Sequence, residues 1–163
     1  MFRVILFCIL AAYPAITYAC SDPVGFIESV QSEARAGISD PSTPQRILDK
    51  HVDLERLASY TYGPFLWRDA PKAKKDHYKN KIENFLTGPL ANLMRRNSDK
   101  VVVVNPDFKK KKGYFEVSGE TRPEMKKILW RVSDAGKCKF VDMGFFGVLL
   151  SQRLKQEFNR SDR

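Results

Sequence analysis

The alternation of apolar and polar residues near the C-terminus predicts a β-hairpin followed by a helix. Apolar side chains occupy every second position at Ile128, Trp130 and Val132, which is the period of a strand with one buried face. A turn is predicted around 134–136, and the same period returns beyond it at Val141, Met143 and Phe145. Apolar positions then resume at helical spacing up to Phe158. Because an isolated hairpin is only marginally stable, the rest of the chain has to cover its apolar face.

The N-terminal part of the chain carries the start and stop signals of three short helices. Asp22-Pro23 is a typical N-cap and first helical position, and this helix is predicted to end near Gly37. Thr43-Pro44 starts a second helix, and Asp53 caps a third that Gly63-Pro64 ends. Three helices laid end to end are therefore expected before the longer elements.

A longer amphipathic helix is predicted from Pro71 onward, with apolar and lysine-rich stripes on opposite faces. Gly88-Pro89 interrupts the helix, but the apolar stripe resumes in register at Leu90. This pattern predicts either one bent helix or two abutting helices, closed at residues 98–100.

The region after that helix predicts further strands. Val101–Val104 is a continuous β-branched run, typical of a central strand covered on both faces. A polar connection containing Lys109–Lys112 is predicted next, followed by an alternating strand from Gly113 to Gly119. Several N-terminal helices, an antiparallel sheet of about four strands and a C-terminal helix together predict an α+β fold.

The first 19 residues have the pattern of a secretory signal peptide. Arg3 precedes a short apolar stretch that ends at small residues around Ala19, and the stretch is shorter than the roughly 20 residues that span a bilayer. Cleavage after Ala19 would leave residues 20–163 as one domain and lower the formal net charge from +9 to +8. We therefore expect a small, basic, exported protein.

The cysteines leave three possibilities open. Cys8 belongs to the predicted signal peptide, so Cys20 and Cys138 remain in the mature chain. In an exported protein these two residues could form a disulfide. Alternatively they could stay free, or Cys20 could be the acylated cysteine of a lipoprotein, although Thr17 and Tyr18 fit that pattern poorly.

The motifs of catalytic and metal sites are missing from the sequence. There is no HExxH pair, CxxC pair, nucleophile elbow or glycine-rich phosphate loop. We interpret His51 and His77 as solvated or capping residues, and Asp53 and Asp142 as structural carboxylates. No enzyme activity, metal or cofactor is therefore expected.

The run of lysines at 109–112, close to Tyr114 and Phe115, would suit nucleic acid, an anionic lipid surface or an acidic partner. Export argues against nucleic acid. The simplest alternative is a solvated loop tip.

The sequence also resembles the MlaC, or toluene-tolerance, family of periplasmic phospholipid-binding proteins. The resemblance rests on residues 53–58 leading to Gly63, on the helix 78–90, and most specifically on Lys139–Met143 followed by Gly147-Val148 and Gln152-Arg153. The chain departs from the family's usual pattern at Cys138 and Leu149, and it stops where the family continues with another helical segment.

The resemblance implies a soluble carrier that moves glycerophospholipids between the outer membrane and an inner-membrane ABC transporter. Its partners would be an outer-membrane lipoprotein complex and the transporter, contacted transiently. The side chains expected to line the lipid cavity are Leu57, Tyr60, Trp67, Phe85, Leu86, Leu90, Met94, Val102, Val104, Phe115, Trp130, Val132, Val141 and Met143. Each of these residues could equally be ordinary core.

A second hypothesis is an exported basic interaction module with a filled interior. The lipid headgroup, the number of acyl chains and the direction of transport stay open.

Overall fold

The computed structural model describes residues 19–96 and 100–161. The predicted signal peptide up to residue 18 and the predicted helix end at residues 98–99 lie outside this part of the chain. Within it the elements follow in the order α1 (Pro23–Ala36), α2 (Thr43–His51), α3 (Leu54–Tyr62), α4 (Pro64–Asp69), α5 (Lys72–Arg96), β1 (Val101–Lys111), β2 (Tyr114–Arg122), β3 (Lys126–Ser133), β4 (Phe140–Phe145), β5 (Val148–Leu149) and α6 (Leu150–Ser161). The predicted α+β class is confirmed, with five strands where about four were expected.

The predicted capping signals start the short helices. The Asp22 carboxylate accepts a hydrogen bond from the backbone N–H of Gly25 at 2.8 Å, and the Asp53 carboxylate accepts one from the N–H of Arg56 at 3.0 Å. Gly63 has a φ of 108°, a backbone conformation that favours glycine. It ends α3 and precedes Pro64, the first residue of α4. The Gly-Pro pair therefore separates two helices, and the prediction of three short helices missed α4.

The long helix α5 is continuous over 25 residues, and Pro89 lies inside it. This agrees with the first of the two predicted arrangements. The apolar stripe that resumes after the proline keeps the second half of α5 against the rest of the protein.

The strands form one antiparallel sheet in the order β1-β2-β3-β4-β5. The predicted hairpin is the β3–β4 pair, in which Trp130 lies opposite Met143. An irregularity next to Val132 places Phe140, not Val141, opposite Val132. The strict alternation predicted for the second arm is therefore interrupted by a β-bulge.

The prediction that Val101–Val104 forms a central strand is wrong, because β1 is the edge of the sheet. The predicted polar connection is also part of this strand, since β1 extends to Lys111 and only then turns at Gly113. Pro106 lies in the irregular stretch of β1, where the pairing with β2 shifts. Lysines and proline are typical of edge strands, where they discourage pairing with other chains.

Apolar side chains pack in two clusters. One lies between α1 and the sheet and contains Ile27, Val117 and Trp130. The other joins helices α3 to α6 around Ile82 and Leu154. The two clusters are connected through half-buried residues that contact both, such as Leu90.

Cys20 and Cys138 form a disulfide, with their Cα atoms 4.8 Å apart. Of the three possibilities left open by the sequence, the structure contains the first. The bond ties the residues just before α1 to the loop of the β3–β4 hairpin and so holds α1 beside the sheet.

Candidate functional site

An apolar cavity of about 580 Å³ lies between the helices and the inner face of the sheet. Its volume is within the range of about 300–1,000 Å³ that is usual for ligand sites. Helices α1, α2, α3 and α5 form one side, and strands β1 to β4 form the other. The apolar wall includes Ile27, Val30, Ala34, Ile47, Leu48, Val52, Leu57, Leu86, Leu90, Met94, Val102, Ile128, Trp130, Phe140, Met143 and Phe145.

The sheet side of the cavity is built from opposed residues of the β3–β4 hairpin. Trp130 pairs with Met143, and Ile128 pairs with Phe145, so their side chains lie side by side on one face. Gly119 on β2 leaves room for the indole, since a Cβ built there would lie 2.6 Å from a Trp130 ring carbon. A glycine at this position thus permits the indole to lie close to β2.

Charged residues surround one end of the cavity, which we call the mouth. The basic residues are Arg35, Lys100, Lys126 and Lys127, and the acidic one is Glu124. Glu124 forms ion pairs with Lys100 and Lys126. Hydrogen bonds from Lys100 and then Lys126 lower the pKa of this carboxyl from 4.5 to about 2. The Glu124 carboxyl is therefore ionised at neutral pH, and the mouth has more basic than acidic side chains.

Two polar atoms near the mouth are buried and lack a hydrogen-bond partner among the described residues. They are Nε2 of Gln31 on α1 and Oγ1 of Thr121 on β2, and both residues line the cavity. A buried polar group without a partner costs about 1–3 kcal/mol. A ligand carrying ester or phosphate oxygens would offer such groups a partner.

Seven of the predicted wall residues line the cavity: Leu57, Leu86, Leu90, Met94, Val102, Trp130 and Met143. They come from α3, α5, β1, β3 and β4, so the sequence had identified both sides of the cavity. The other seven predicted residues are not among those that line it: Tyr60, Trp67, Phe85, Val104, Phe115, Val132 and Val141.

These seven residues have other packing roles. The Tyr60 hydroxyl accepts a hydrogen bond from Arg56, and the Trp67 indole N–H donates one to Glu55 at 2.7 Å. Phe85 lies on the outside of α5 against the ring of Phe158. The cluster between α1 and the sheet contains Val104, Phe115 and Val132, and Val141 is buried on β4.

The largest contribution that sequence reasoning missed is the wall formed by α1. The lining residues of this helix are absent from the predicted wall: Ile27, Val30, Gln31, Ala34 and Arg35. Their i, i+3, i+4 spacing marks the inner face of the helix. That spacing does not show whether the space beyond the face is filled or empty.

The buried titratable groups near the cavity have structural partners. His51, which the sequence predicted to be solvated or capping, is buried in the last turn of α2, and its Nε2 lies 2.8 Å from Oε2 of Glu33. Hydrogen bonds from His51 and then Lys50 lower the pKa of Glu33 from 4.5 to about 2. This network links α1 to α2.

Asp142 is also buried at the edge of the cavity. Burial raises the pKa of its carboxyl even though Ser151 donates two hydrogen bonds to it, from the hydroxyl at 2.7 Å and from the backbone N–H at 3.2 Å. The carboxylate thus fixes the start of α6 to β4. This is the structural role expected for Asp142, although the sequence did not predict its partner.

Within residues 19–96 and 100–161, no helix combines the length and apolar character needed to cross a membrane. The same ranges contain no group of three or more His, Cys, Asp or Glu residues arranged to hold a metal ion.

Comparison with known structures shows the same fold in a phospholipid-binding protein from Ralstonia solanacearum, solved in complex with a phospholipid. The two chains are 16% identical, the TM-score is 0.71, and the match covers 86% of this chain and 87% of the other. No curated protein matches the sequence significantly. A sequence model of the MlaC protein family matches residues 42–161, which is well over half of the 163 residues. The chain therefore belongs to the MlaC family.

Proposed function

We propose that this protein binds a glycerophospholipid, with acyl chains inside the cavity and the headgroup at the mouth. The observation that carries the proposal is the cavity of about 580 Å³, lined by apolar side chains and opening between charged residues. Apolar walls suit hydrocarbon chains, and a polar opening suits the phosphate and glycerol parts of the same molecule. Membership of the MlaC family, and the phospholipid bound by the similar Ralstonia protein, support this assignment.

The energetics fit a carrier that exchanges lipid with membranes. Burying a methylene group gains about 0.8 kcal/mol relative to water, but a lipid in a bilayer already has this burial. The free energy of the acyl chains in the cavity therefore needs only to be close to their free energy in the bilayer. Such a balance allows both loading and release.

The biological role we propose is a periplasmic shuttle between the outer membrane and an inner-membrane ABC transporter. Its partners would be an outer-membrane lipoprotein complex and the transporter, and it would catalyse no reaction. The signal-peptide pattern at residues 1–19 and the family of the chain support this role. The alternative, a basic interaction module with a filled interior, agrees less well with an apolar cavity of this volume.

The proposal is tested by filling the cavity with a large side chain. Ala34 on α1 lines the cavity, whereas Ala36 on the same helix is exposed and does not. Ala34→Trp would displace about three methylene groups of a bound chain, which at about 0.8 kcal/mol each is about 2.4 kcal/mol, or roughly fifty-fold in affinity. Ala36→Trp is the matched control.

The measurement is the amount of phospholipid that each purified protein extracts from vesicles. We expect the wild type and Ala36→Trp to carry lipid after separation from the vesicles and Ala34→Trp to carry far less. If both variants extract the same amount of phospholipid, the lipid does not bind in this cavity. If the wild type extracts none, the proposed function is wrong.

A further inference from the structure

We propose that the mouth of the cavity docks directly on an anionic phospholipid bilayer, with Met125, Phe146 and Val148 entering the headgroup layer. This goes beyond the proposed function, in which docking requires only membrane-protein partners. The bilayer would then be recognised by the protein itself, at the opening through which a lipid would pass.

Three large apolar side chains are exposed together at this end of the sheet. Met125 lies in the β2–β3 turn, and Phe146 and Val148 lie in and after the β4–β5 turn, with 60%, 69% and 47% of their surface exposed. The turns are neighbours, because the Nζ atom of Lys126 lies 5.8 Å from the centre of the Phe146 ring. Phe146 and the residues flanking Met125 also line the cavity. The apolar group is thus part of the mouth.

Two of these exposed residues have an unusual backbone conformation. Among the described residues, Met125 and Phe146 are the non-glycine residues with positive φ, each at 54°. A left-handed conformation costs a non-glycine residue roughly 1–2 kcal/mol. Strain of this kind gathers at functional positions. Here both of these residues with positive φ, Met125 and Phe146, carry an exposed apolar side chain beside the mouth.

The charges around the group are complementary to an anionic surface. Basic side chains at this end include Arg35, Lys100, Arg122, Lys126 and Lys127, against the carboxylates of Glu120 and Glu124. Each lysine near an anionic membrane contributes to binding, and apolar side chains add to it by entering the interface. Exposed apolar side chains with lysines around them favour binding to an anionic bilayer over a neutral one.

A second exposed apolar pair provides the control. Phe65 and Leu66 are 81% and 67% exposed on the short helix α4, and neither residue lines the cavity. Lysines of α5 also lie near this helix, for example Lys75 against the Trp67 ring. A general attraction of the protein to membranes would involve this pair as much as the mouth.

The test measures binding of residues 20–163 to protein-free vesicles by flotation. The vesicles contain either phosphatidylcholine alone or phosphatidylcholine mixed with phosphatidylglycerol. The mouth variant is Met125→Asn with Phe146→Asn, because asparagine tolerates the left-handed conformation. The matched control is Phe65→Asn with Leu66→Asn, and Lys127→Ala tests the charge.

We expect the wild type to bind the anionic vesicles, with weaker binding at higher salt. The mouth variant should bind about tenfold more weakly, Lys127→Ala about fivefold more weakly, and the α4 variant like the wild type. If the wild type does not bind protein-free vesicles, the inference is wrong, and docking to a membrane protein is the remaining explanation. Equal losses in the mouth and α4 variants overturn it as well.

The lipid content of each protein, measured by native mass spectrometry, separates this inference from the proposed function. Lipid carried by a protein that does not bind vesicles contradicts only the docking inference. Vesicle binding at the mouth by a protein that never carries lipid supports docking and contradicts the carrier function.

Discussion

Removing the disulfide should destabilise the protein and open the cavity. Cys20 lies just before α1, and α1 supplies one wall of the cavity. The perturbation is the double variant Cys20→Ser with Cys138→Ser, or reduction of the wild type. Either change leaves α1 attached to the rest of the protein only by its packing and its ion pairs.

The size of the effect follows from the length of chain that the bond closes. The two cysteines are separated by 118 positions, and the chain-entropy relation gives about 5 kcal/mol at 25 °C for a loop of this length. Measured losses for native disulfides are typically about 2–5 kcal/mol. Since domains of this size are stable by only about 5–15 kcal/mol, a large part of the free energy of unfolding is at stake.

The assay is urea unfolding followed by tryptophan fluorescence. Trp130 lies in the cluster beneath α1, and Trp67 lies in the cluster of α3 to α6. Variants that retain one tryptophan each would report the two regions separately. We expect the serine variant to lose about 3–5 kcal/mol of its free energy of unfolding and to carry less phospholipid. At low urea concentrations, the fluorescence of Trp130 should change more than that of Trp67.

Two results would refute this reasoning. Free thiols in the folded, unreduced wild type would mean that the bond is absent. An unfolding midpoint that reduction leaves unchanged would mean that the bond adds nothing to the stability already given by packing and ion pairs.

Three further changes test the stabilising contacts described above. Glu33→Gln should lower the thermal midpoint above pH 4.5, where the wild-type carboxylate paired with His51 is stabilising. Because the pKa of Glu33 is lowered to about 2, the difference in midpoint between variant and wild type should disappear as the pH falls from 4.5 to 2 in a series of thermal melts. Asp142→Ala should cost about 2–4 kcal/mol in urea unfolding, since it leaves buried donors of α6 unpaired. Gly119→Ala should cost about 1–3 kcal/mol in the same assay and reduce extracted lipid, because the new methyl group would lie 2.6 Å from both a Trp130 ring carbon and the Val103 carbonyl oxygen, so that this wall of the cavity has to shift. Unchanged stability and lipid content would contradict that placement.

The sequence predicted the helices and the hairpin because local signals determine them. Asp22-Pro23, Asp53 and the alternation around Trp130 each act over a few residues, and the structure contains the expected caps and strands. The edge position of Val101–Val104 could not be inferred in the same way. A run of apolar residues indicates that both faces of a strand are covered. It does not indicate the position of the strand in the sheet, which depends on which strands form backbone hydrogen bonds with each other. Pro106 and the lysines of β1 were the available signals of an edge.

The cavity itself could not be predicted from apolar periodicity. Trp130 and Val132 are two positions apart on one strand and are both buried, yet the first lines the cavity and the second lies in filled core. Both residues have the same pattern in the sequence, because the pattern identifies the inward face and not the space beyond it. Only the packing of α1 and α5 over the sheet separates wall from core.

The central claim is that the cavity holds a phospholipid, and native mass spectrometry of the purified protein tests it most directly. The expected result is a population heavier than the disulfide-bonded chain by the mass of a bound phospholipid, and this population should shrink in Ala34→Trp but not in Ala36→Trp. A folded, oxidised wild type that shows only the mass of the bare chain in repeated preparations would contradict the claim.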